Sequence, residues 1–154
     1  MSLFFCDTSG LVKRFTRETG TAWILNLLKP SNGNTIFIAR ITSVEVVAAL
    51  TKQNRIGNLT ASELDKSIKR FKRSLQSRYA FVEFNEHLAN QAMFLAEKYG
   101  LRGYDSVQLA AALKVEQRRI SLGLSSIVFI CADNNLNAAA LSEGLTVENP
   151  NNYP

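Results

Sequence analysis

The stretch "LFFCDTSGLVKRF", residues 3–15, joins a short apolar run to a single acid and then to the beginning of a helical pattern. The apolar residues Leu3, Phe4 and Phe5 predict a buried β-strand, and Asp7 follows it closely. Two interpretations of this carboxylate are open: it caps the next helix, or it belongs to an acidic site whose other members lie elsewhere in the chain. The positions of the other acids distinguish between them.

The composition is typical of a folded domain with an excess of basic charge. The 154 residues are 46% hydrophobic and 20% charged, with a net charge of +5. This length fits one domain spanning residues 1–154, and no apolar run has the length of a membrane span, so we expect a cytoplasmic protein. The charge suits a polyanionic partner. Residues 66–78 hold six basic residues and no acid, which indicates either a solvated helix face or a contact surface for nucleic acid or protein.

Short β-type runs alternate with helical stretches along the whole chain. The runs lie at residues 3–5, 35–39, 79–84, 126–132 and 145–147. This alternation predicts βαβ crossovers, and therefore a parallel sheet with helices on both faces. Thr60 with Glu63 has the form of a capping box, while Asn85 and Gly100 are placed to begin and end a further helix.

Four acids occupy strand ends or the first turns of helices. Asp7 and Asp133 follow apolar strands, whereas Glu45 and Asp105 lie near the starts of largely apolar helices. Because ligands of open parallel sheets bind at the carboxyl ends of the strands, these acids can converge on one edge. Taken singly, each Asp is better explained as a helix cap, but Glu45 interrupts "TSVEVVAAL" without such an explanation. Converging carboxylates repel one another, and Mg²⁺ or Mn²⁺ is the simplest compensating cation.

Together, four segments resemble the PIN-domain nucleases, and most closely the toxin ribonucleases of the VapC type. These segments are "FFCDTSGLVK", "ITSVEVVAAL", "LRGYDSVQLAAAL" and "CADNNLNAAALSEGL", and the resemblance covers nearly the whole chain. It implies a three-layer α/β/α sandwich with a mostly parallel five-stranded sheet, and metal-dependent hydrolysis of RNA. It also implies a homodimer and a small antitoxin protein whose C-terminal segment covers the acidic groove.

The resemblance also implies roles for individual residues. Asp7, Glu45, Asp105 and Asp133 match the family's acidic constellation, which would hold Mg²⁺ or Mn²⁺, and Ser9 matches the hydroxyl that supports the first Asp. Four basic residues flank the matching segments and are candidates for contact with the RNA backbone, although solubilising surface charge explains each of them equally well: Lys13, Arg14, Arg40 and Arg102.

Other α/β proteins with an acid after the first strand fit less well. A phosphatase of the haloacid dehalogenase type needs a second acid at the position of Ser9. A receiver domain needs an acidic pair, and a dinucleotide-binding domain needs a glycine-rich first turn. The serious alternative is a catalytically silent PIN-like module that binds RNA or a protein. The presence of all four acids favours the active enzyme.

Overall fold

The structure is a computed structural model that describes residues 2–154. Five strands form one sheet in the order β3-β2-β1-β4-β5, and every neighbouring pair is parallel. The predicted α/β class and strand number are confirmed, and the sheet is wholly rather than mostly parallel. The strands are β1 (Leu3–Cys6), β2 (Thr35–Ala39), β3 (Ala80–Val82), β4 (Val128–Ile130) and β5 (Thr146–Glu148).

Seven α-helices connect and cover these strands in the described part of the chain. They are α1 (Thr8–Leu11), α2 (Thr21–Leu27), α3 (Thr42–Arg55), α4 (Ala61–Ser77), α5 (Glu86–Tyr99), α6 (Gly103–Ser121) and α7 (Asn134–Ser142). Three short 3-10 turns complete the path, at Val12–Arg14, Pro30–Asn32 and Pro150–Asn152. Within residues 2–154, no helix combines the length and hydrophobicity needed to cross a membrane.

Local sequence signals determine where several helices begin and end. Thr60 caps α4 through the Glu63 backbone N–H, and the Glu63 carboxylate bonds back to the Thr60 N–H, so the predicted capping box is present. Asn85 caps α5 through the Leu88 N–H. Gly100 ends α5 with a φ of 64°, a left-handed conformation that glycine adopts without strain.

Neighbouring residues of the central strands pack into two separate apolar clusters, one on each face of the sheet. Phe5 and Phe129 pack with α5, α6 and α7, whereas Cys6 and Ile130 pack with the layer formed by α1 to α4. This is the alternation expected of strands, whose successive side chains point to opposite faces. Because both faces are covered, the inner strands are apolar throughout. The three-layer sandwich is therefore confirmed.

The topology brings three strand ends together. β1 is the central strand and has β2 on one side and β4 on the other. After β1 the chain adds β2 and β3 on one side of it, and then crosses to add β4 and β5 on the other side. The direction of strand addition therefore reverses between β1 and β4. Such a reversal is where open parallel sheets form their ligand crevice, at the carboxyl ends of the strands. Helices α1, α3 and α7 begin at this edge, within a few residues of the ends of β1, β2 and β4.

Candidate active site

Asp7 links β1 to α1 and is 3% exposed. Its Oδ1 atom accepts hydrogen bonds from the Gly10 N–H (3.0 Å) and from Ser9 Oγ (2.6 Å), so Asp7 caps α1. Its Oδ2 atom accepts no hydrogen bond from the described residues and is not among the fully buried unpaired atoms. The two interpretations of this carboxylate are therefore compatible, because one oxygen caps the helix while the other is free to bind a ligand.

Ser9 and Gly10 hold the beginning of α1 against the end of β4. Ser9 Oγ donates to Asp7 and accepts from the Ala132 N–H at 2.9 Å. A Cβ atom on Gly10 would lie 3.0 Å from the Ile130 carbonyl oxygen, so only glycine permits this close approach without a shift. The Asp7 N–H also donates to Ile130 O at 3.1 Å. Ser9 thus makes the contacts expected of a hydroxyl that supports Asp7.

Glu45 reaches the same edge from the first turn of α3. Its Oε1 atom accepts hydrogen bonds from Thr8 Oγ1 and from Gln108 Nε2, each at 2.8 Å. Gln108 Nε2 also lies 2.8 Å from Thr42 Oγ1. This network joins α1, α3 and α6 and explains how a glutamate is accommodated among valines. The Glu45 Oε2 atom accepts no hydrogen bond within residues 2–154.

Thr8 and Gln108 are site residues that the sequence analysis did not identify. Gln108 is 1% exposed, and it lies three residues after Asp105, which places both on one side of α6. The signal was present: Gln108 is the only polar residue in "VQLAAAL", just as Glu45 is the only acid in "TSVEVVAAL". A buried polar residue inside an apolar helix needs a partner, and here the partner is the network around Glu45.

Asp105 and Asp133 complete the acidic edge, and Arg102 lies between them. Arg102 Nε donates to Asp105 Oδ2 at 3.0 Å, and Arg102 Nη2 lies 3.5 Å from Asp133 Oδ2. Asp133 Oδ1 caps α7 by accepting from the Leu136 N–H. Asp105 caps nothing, because the residue at the cap of α6 is Arg102. The capping explanation therefore holds for Asp133 and fails for Asp105.

The neighbouring acids shift the pKa values of Asp7 and Arg102. The pKa of Asp7 is raised to about 7, first by burial and then by the negative charges of Asp105 and Glu45, against the opposing effect of its two hydrogen bonds. The pKa of Arg102 is raised by its hydrogen bond to Asp105 and by the charges of Asp105, Asp133 and Glu45. The structure thus brings all four predicted acids to one edge of the sheet.

The donor set suits a hard divalent cation by its chemistry. Each of the four carboxylates has one oxygen held by a protein hydrogen bond or ion pair, and Asp7, Glu45 and Asp105 each keep a second oxygen without a protein partner. Oxygen donors of this kind are the ligands of Mg²⁺ and Mn²⁺. No three His, Cys, Asp or Glu side chains in residues 2–154 are already arranged as a metal site. Asp105 is instead turned to Arg102, whose charge offsets part of the repulsion.

The structure separates the four basic candidates for RNA contact. Lys13 is 3% exposed and donates to the Glu18 carboxylate and to the Thr19 carbonyl. Its charge is therefore paired with Glu18 and does not face solvent. Arg40 pairs with Glu83 and stacks on Phe81, and Arg102 pairs with the acids of the site. Arg14 alone has no carboxylate partner among the described residues. It donates to Tyr79 Oη at 2.8 Å.

Neither cysteine nor histidine contributes a ligand or nucleophile here. Cys6 and Cys131 are buried free thiols, and burial together with the charge of Asp7 raises the pKa of each well above its usual range. Cys131 Sγ lies 3.6 Å from Ser9 Oγ and helps to pack the loop after β4. His87 is exposed in the first turn of α5.

The protein is an α/β sandwich with acids that converge at the reversal of strand order, and comparison with known proteins identifies its family. The PIN domain profile matches residues 4–140, and the chain belongs to the PIN domain family. Two relatives from Mycobacterium tuberculosis are each 31% identical over 150 residues, which are 96% of this chain and 95% of theirs. They are Ribonuclease VapC45 of strain CDC 1551 / Oshkosh and Ribonuclease VapC49 of strain ATCC 25618 / H37Rv. The resemblance stated from the sequence is confirmed.

Solved structures show the same fold at lower identity. VapBC2 from Rickettsia felis, bound to a DNA fragment from its promoter, matches with a TM-score of 0.62 at 16% identity, over 96% of this chain and 98% of that chain. VapC20 of Mycobacterium tuberculosis, a sarcin–ricin loop cleaving toxin, matches with a TM-score of 0.60 at 15% identity, over 88% of this chain and 94% of that one. At these identities the likeness establishes the fold.

Proposed function

We propose that this protein is a metal-dependent endoribonuclease and the toxin of a toxin–antitoxin pair. The observation that carries the proposal is the convergence of Asp7, Glu45, Asp105 and Asp133 at the carboxyl edge of the sheet, in a chain whose 31% identical relatives are ribonucleases. Topology alone brings the helix caps Asp7 and Asp133 to this edge, but capping does not explain Glu45 and Asp105, because the caps of α3 and α6 are Ile41 and Arg102. The mutual repulsion of the four acids is unfavourable unless a cation is bound.

Each structural element of the site has a chemical task in this proposal. The four carboxylates would hold Mg²⁺ or Mn²⁺, and the bound ion would stabilise charge on the scissile phosphate and lower the pKa of the attacking water. Ser9 and Gly10 orient Asp7 through its Oδ1 atom, which leaves Oδ2 for the ligand. Gln108 and Thr8 orient Glu45 in the same way. Attack by water would leave 5′-phosphate and 3′-hydroxyl ends.

The decisive experiment compares the wild type with Asp7→Asn on labelled RNA in Mg²⁺, in Mn²⁺ and in EDTA. Asp65→Asn is the matched control, because Asp65 is an exposed acid on α4 whose partner is Lys69. Cleavage that needs both the cation and Asp7, and that survives Asp65→Asn, supports the proposal. Cleavage that persists in EDTA and in Asp7→Asn contradicts it.

One observation favours the silent binding module as a second candidate. The acids are not pre-arranged as a metal site, and Arg102 already offsets part of their charge. A silent module would show no change in melting temperature with Mn²⁺, whereas a metal-binding active site is stabilised through linkage by a ligand that binds only the folded state. Titration of the melting temperature with Mn²⁺ therefore separates the two candidates independently of any RNA.

The proposed toxin function implies two protein partners, an antitoxin and a second copy of this chain. Structural neighbours include a toxin–antitoxin complex from Klebsiella pneumoniae, at a TM-score of 0.61 and 19% identity. We expect a small antitoxin to cover the acidic edge and the toxin itself to form a homodimer. Growth arrest on expression of the wild type, and its absence with Asp7→Asn, would support the toxin assignment. Light scattering of the purified protein tests the dimer, and a mass near 17.1 kDa contradicts it.

A further inference from the structure

A cavity of about 880 Å³ opens on the layer of α1 to α4, away from the acidic edge. Its walls come from α2, from the C-terminal half of α3 with the turn that follows, from α4, and from the segment after α1. Five basic side chains and one acid line it, the acid being Glu63 and the bases Arg14, Arg17, Lys66, Arg70 and Arg73. Three of these bases belong to residues 66–78, for which the sequence allowed either a solvated helix face or a contact surface.

The positive charge of this cavity exceeds its negative charge, because Glu63 is the one acid among its lining residues. None of the five basic side chains forms an ion pair with any residue in 2–154. The pKa of Glu63 is lowered first by its hydrogen bonds with Thr60 and then by the charge of Lys66, so this one carboxylate offsets only part of the five positive charges. Partial burial, and after it the charge of the Arg14 guanidinium, lowers the pKa of Arg70. An anion in the cavity would relieve the repulsion between these like charges.

The guanidinium groups of Arg14 and Arg70 are held in place. Arg70 Nη2 donates to the Arg14 carbonyl at 2.9 Å, and Arg14 Nη1 donates to Tyr79 Oη. The central carbons of both groups lie 5.1–5.5 Å from the centre of the Phe15 ring. Each guanidinium uses one of its five N–H donors in these bonds, so the others remain for a ligand. Pre-organised arginines favour phosphate, whose oxygens match the fork of donors.

The cavity shares two elements with the acidic edge. Arg14 lies seven residues after Asp7, along α1 and the Val12–Arg14 turn. Gln53, another wall residue, lies eight residues after Glu45 on α3, which corresponds to about 12 Å along the helix. A chain-like ligand with its reacting bond at the acids can therefore extend along this layer.

We propose that this cavity binds the phosphodiester backbone of the RNA substrate, outside the bond that is cut. The inference rests on the proposed ribonuclease function and adds a binding subsite to it. Lys66, Arg70 and Arg73 follow one another at intervals of four and three residues, which places them in a row about 10 Å long on one side of α4. A row of cations complements a repeating phosphate chain. An acidic peptide is the competing ligand, and the experiment below includes a probe for it.

The test compares two double variants of α4 that remove the same charge. Lys66→Gln/Arg73→Gln removes two wall residues that form no hydrogen bond or ion pair in the described structure. Lys69→Gln/Lys72→Gln removes two exposed lysines of the same helix that do not line the cavity. Binding of a fluorescent single-stranded RNA is measured by anisotropy in EDTA, where no cleavage occurs, over a range of salt concentrations.

We expect the cavity variant to bind RNA about tenfold more weakly than the wild type. The slope of log K against log salt should also become shallower by about 1.4, because each of the two lost phosphate contacts contributes about 0.7. The control variant should change the affinity less than twofold. Equal losses in both variants, or no loss in either, overturn the inference. So does loss of affinity for an oligoglutamate probe with RNA binding intact, because the cavity would then serve an acidic protein partner.

Cleavage assays separate failure of this inference from failure of the ribonuclease assignment. If the wild type cleaves RNA in Mn²⁺ and the cavity variant shows the same KM and kcat, the subsite is wrong and the enzyme assignment stands. If the cavity variant loses RNA binding as expected but the wild type cleaves nothing, the subsite stands and the enzyme assignment fails. A raised KM with unchanged kcat in the cavity variant supports both.

Discussion

Replacing Asp7 by asparagine should stabilise the metal-free protein at neutral and alkaline pH. The pKa of the Asp7 carboxyl rises from its ordinary value of 3.8 to about 7 in the fold. Below pH 4 the side chain is neutral in both folded and unfolded chains. Between pH 4 and 7 the unfolded chain releases the proton while the folded protein retains it, so stability falls as the pH rises.

The magnitude follows from the same pKa difference. At about 1.4 kcal/mol per pH unit, the shift corresponds to roughly 4 kcal/mol of destabilisation, complete above pH 7 and absent below pH 4. Asparagine keeps the Oδ1 acceptor that Ser9 and Gly10 use and carries no charge. Its free energy of unfolding should therefore exceed that of the wild type by a difference that grows from about pH 4 to about pH 7 and is constant above it.

Urea denaturation of both proteins in EDTA at four pH values measures this difference. Under the proposed function, saturating Mn²⁺ should reverse the order at pH 8, because the cation would stabilise the wild type and would bind the asparagine variant weakly. Parallel stability profiles for the two proteins would show that Asp7 does not titrate abnormally. A variant that is less stable than the wild type at pH 8 in EDTA would refute the reasoning altogether.

Three further substitutions test other parts of the structure. Arg102→Gln should raise the Mn²⁺ affinity on the order of fivefold by calorimetry, because the guanidinium no longer competes for two of the carboxylates. Gly10→Ala should cost about 1–3 kcal/mol in the free energy of unfolding, since its Cβ would press on the end of β4, whereas Gly103→Ala meets no neighbour and should be tolerated. Glu116→Ala should cost about 1–3 kcal/mol by leaving the buried Ile127 N–H unpaired, while Glu116→Gln keeps an acceptor.

Each of these substitutions has an outcome that contradicts its premise. Weaker Mn²⁺ binding in Arg102→Gln would mean that the arginine assists the cation instead of competing with it. Equal stability of the two glycine variants would remove the close contact between α1 and β4 as the reason for Gly10. Equal losses in the two Glu116 variants would show that the carboxylate charge matters more than the hydrogen bond to Ile127.

The fold could be predicted from the sequence because its signals are local and repeated. Continuous apolar runs mark buried strands, and Thr60, Asn85 and Gly100 mark helix ends through their own side chains or backbone freedom. The convergence of the four acids could be predicted from the sequence for a related reason. Once the strands are parallel, the residues that follow them are brought to one edge by topology, without knowledge of any side-chain contact.

The roles of the long basic side chains could not be predicted in this way. Lys13 flanks the first motif as Arg14 does, yet it is buried against Glu18 while Arg14 lines a cavity. Arg40 pairs with Glu83, which is distant in sequence and comes into reach only because β2 and β3 are neighbours. A lysine or arginine has many rotamers, and the neighbours that select one of them come from other elements.

By itself, the sequence determined the strands, the start of α4, both ends of α5 and the identity of the acids, because hydrophobic periodicity, capping and strand ends are properties of short segments. Only the tertiary structure decided that Gln108 supports Glu45, that Arg102 lies between Asp105 and Asp133, and that one side of α4 faces a cavity. These arrangements depend on which helices pack together, and packing joins residues whose separation along the chain carries no local signal.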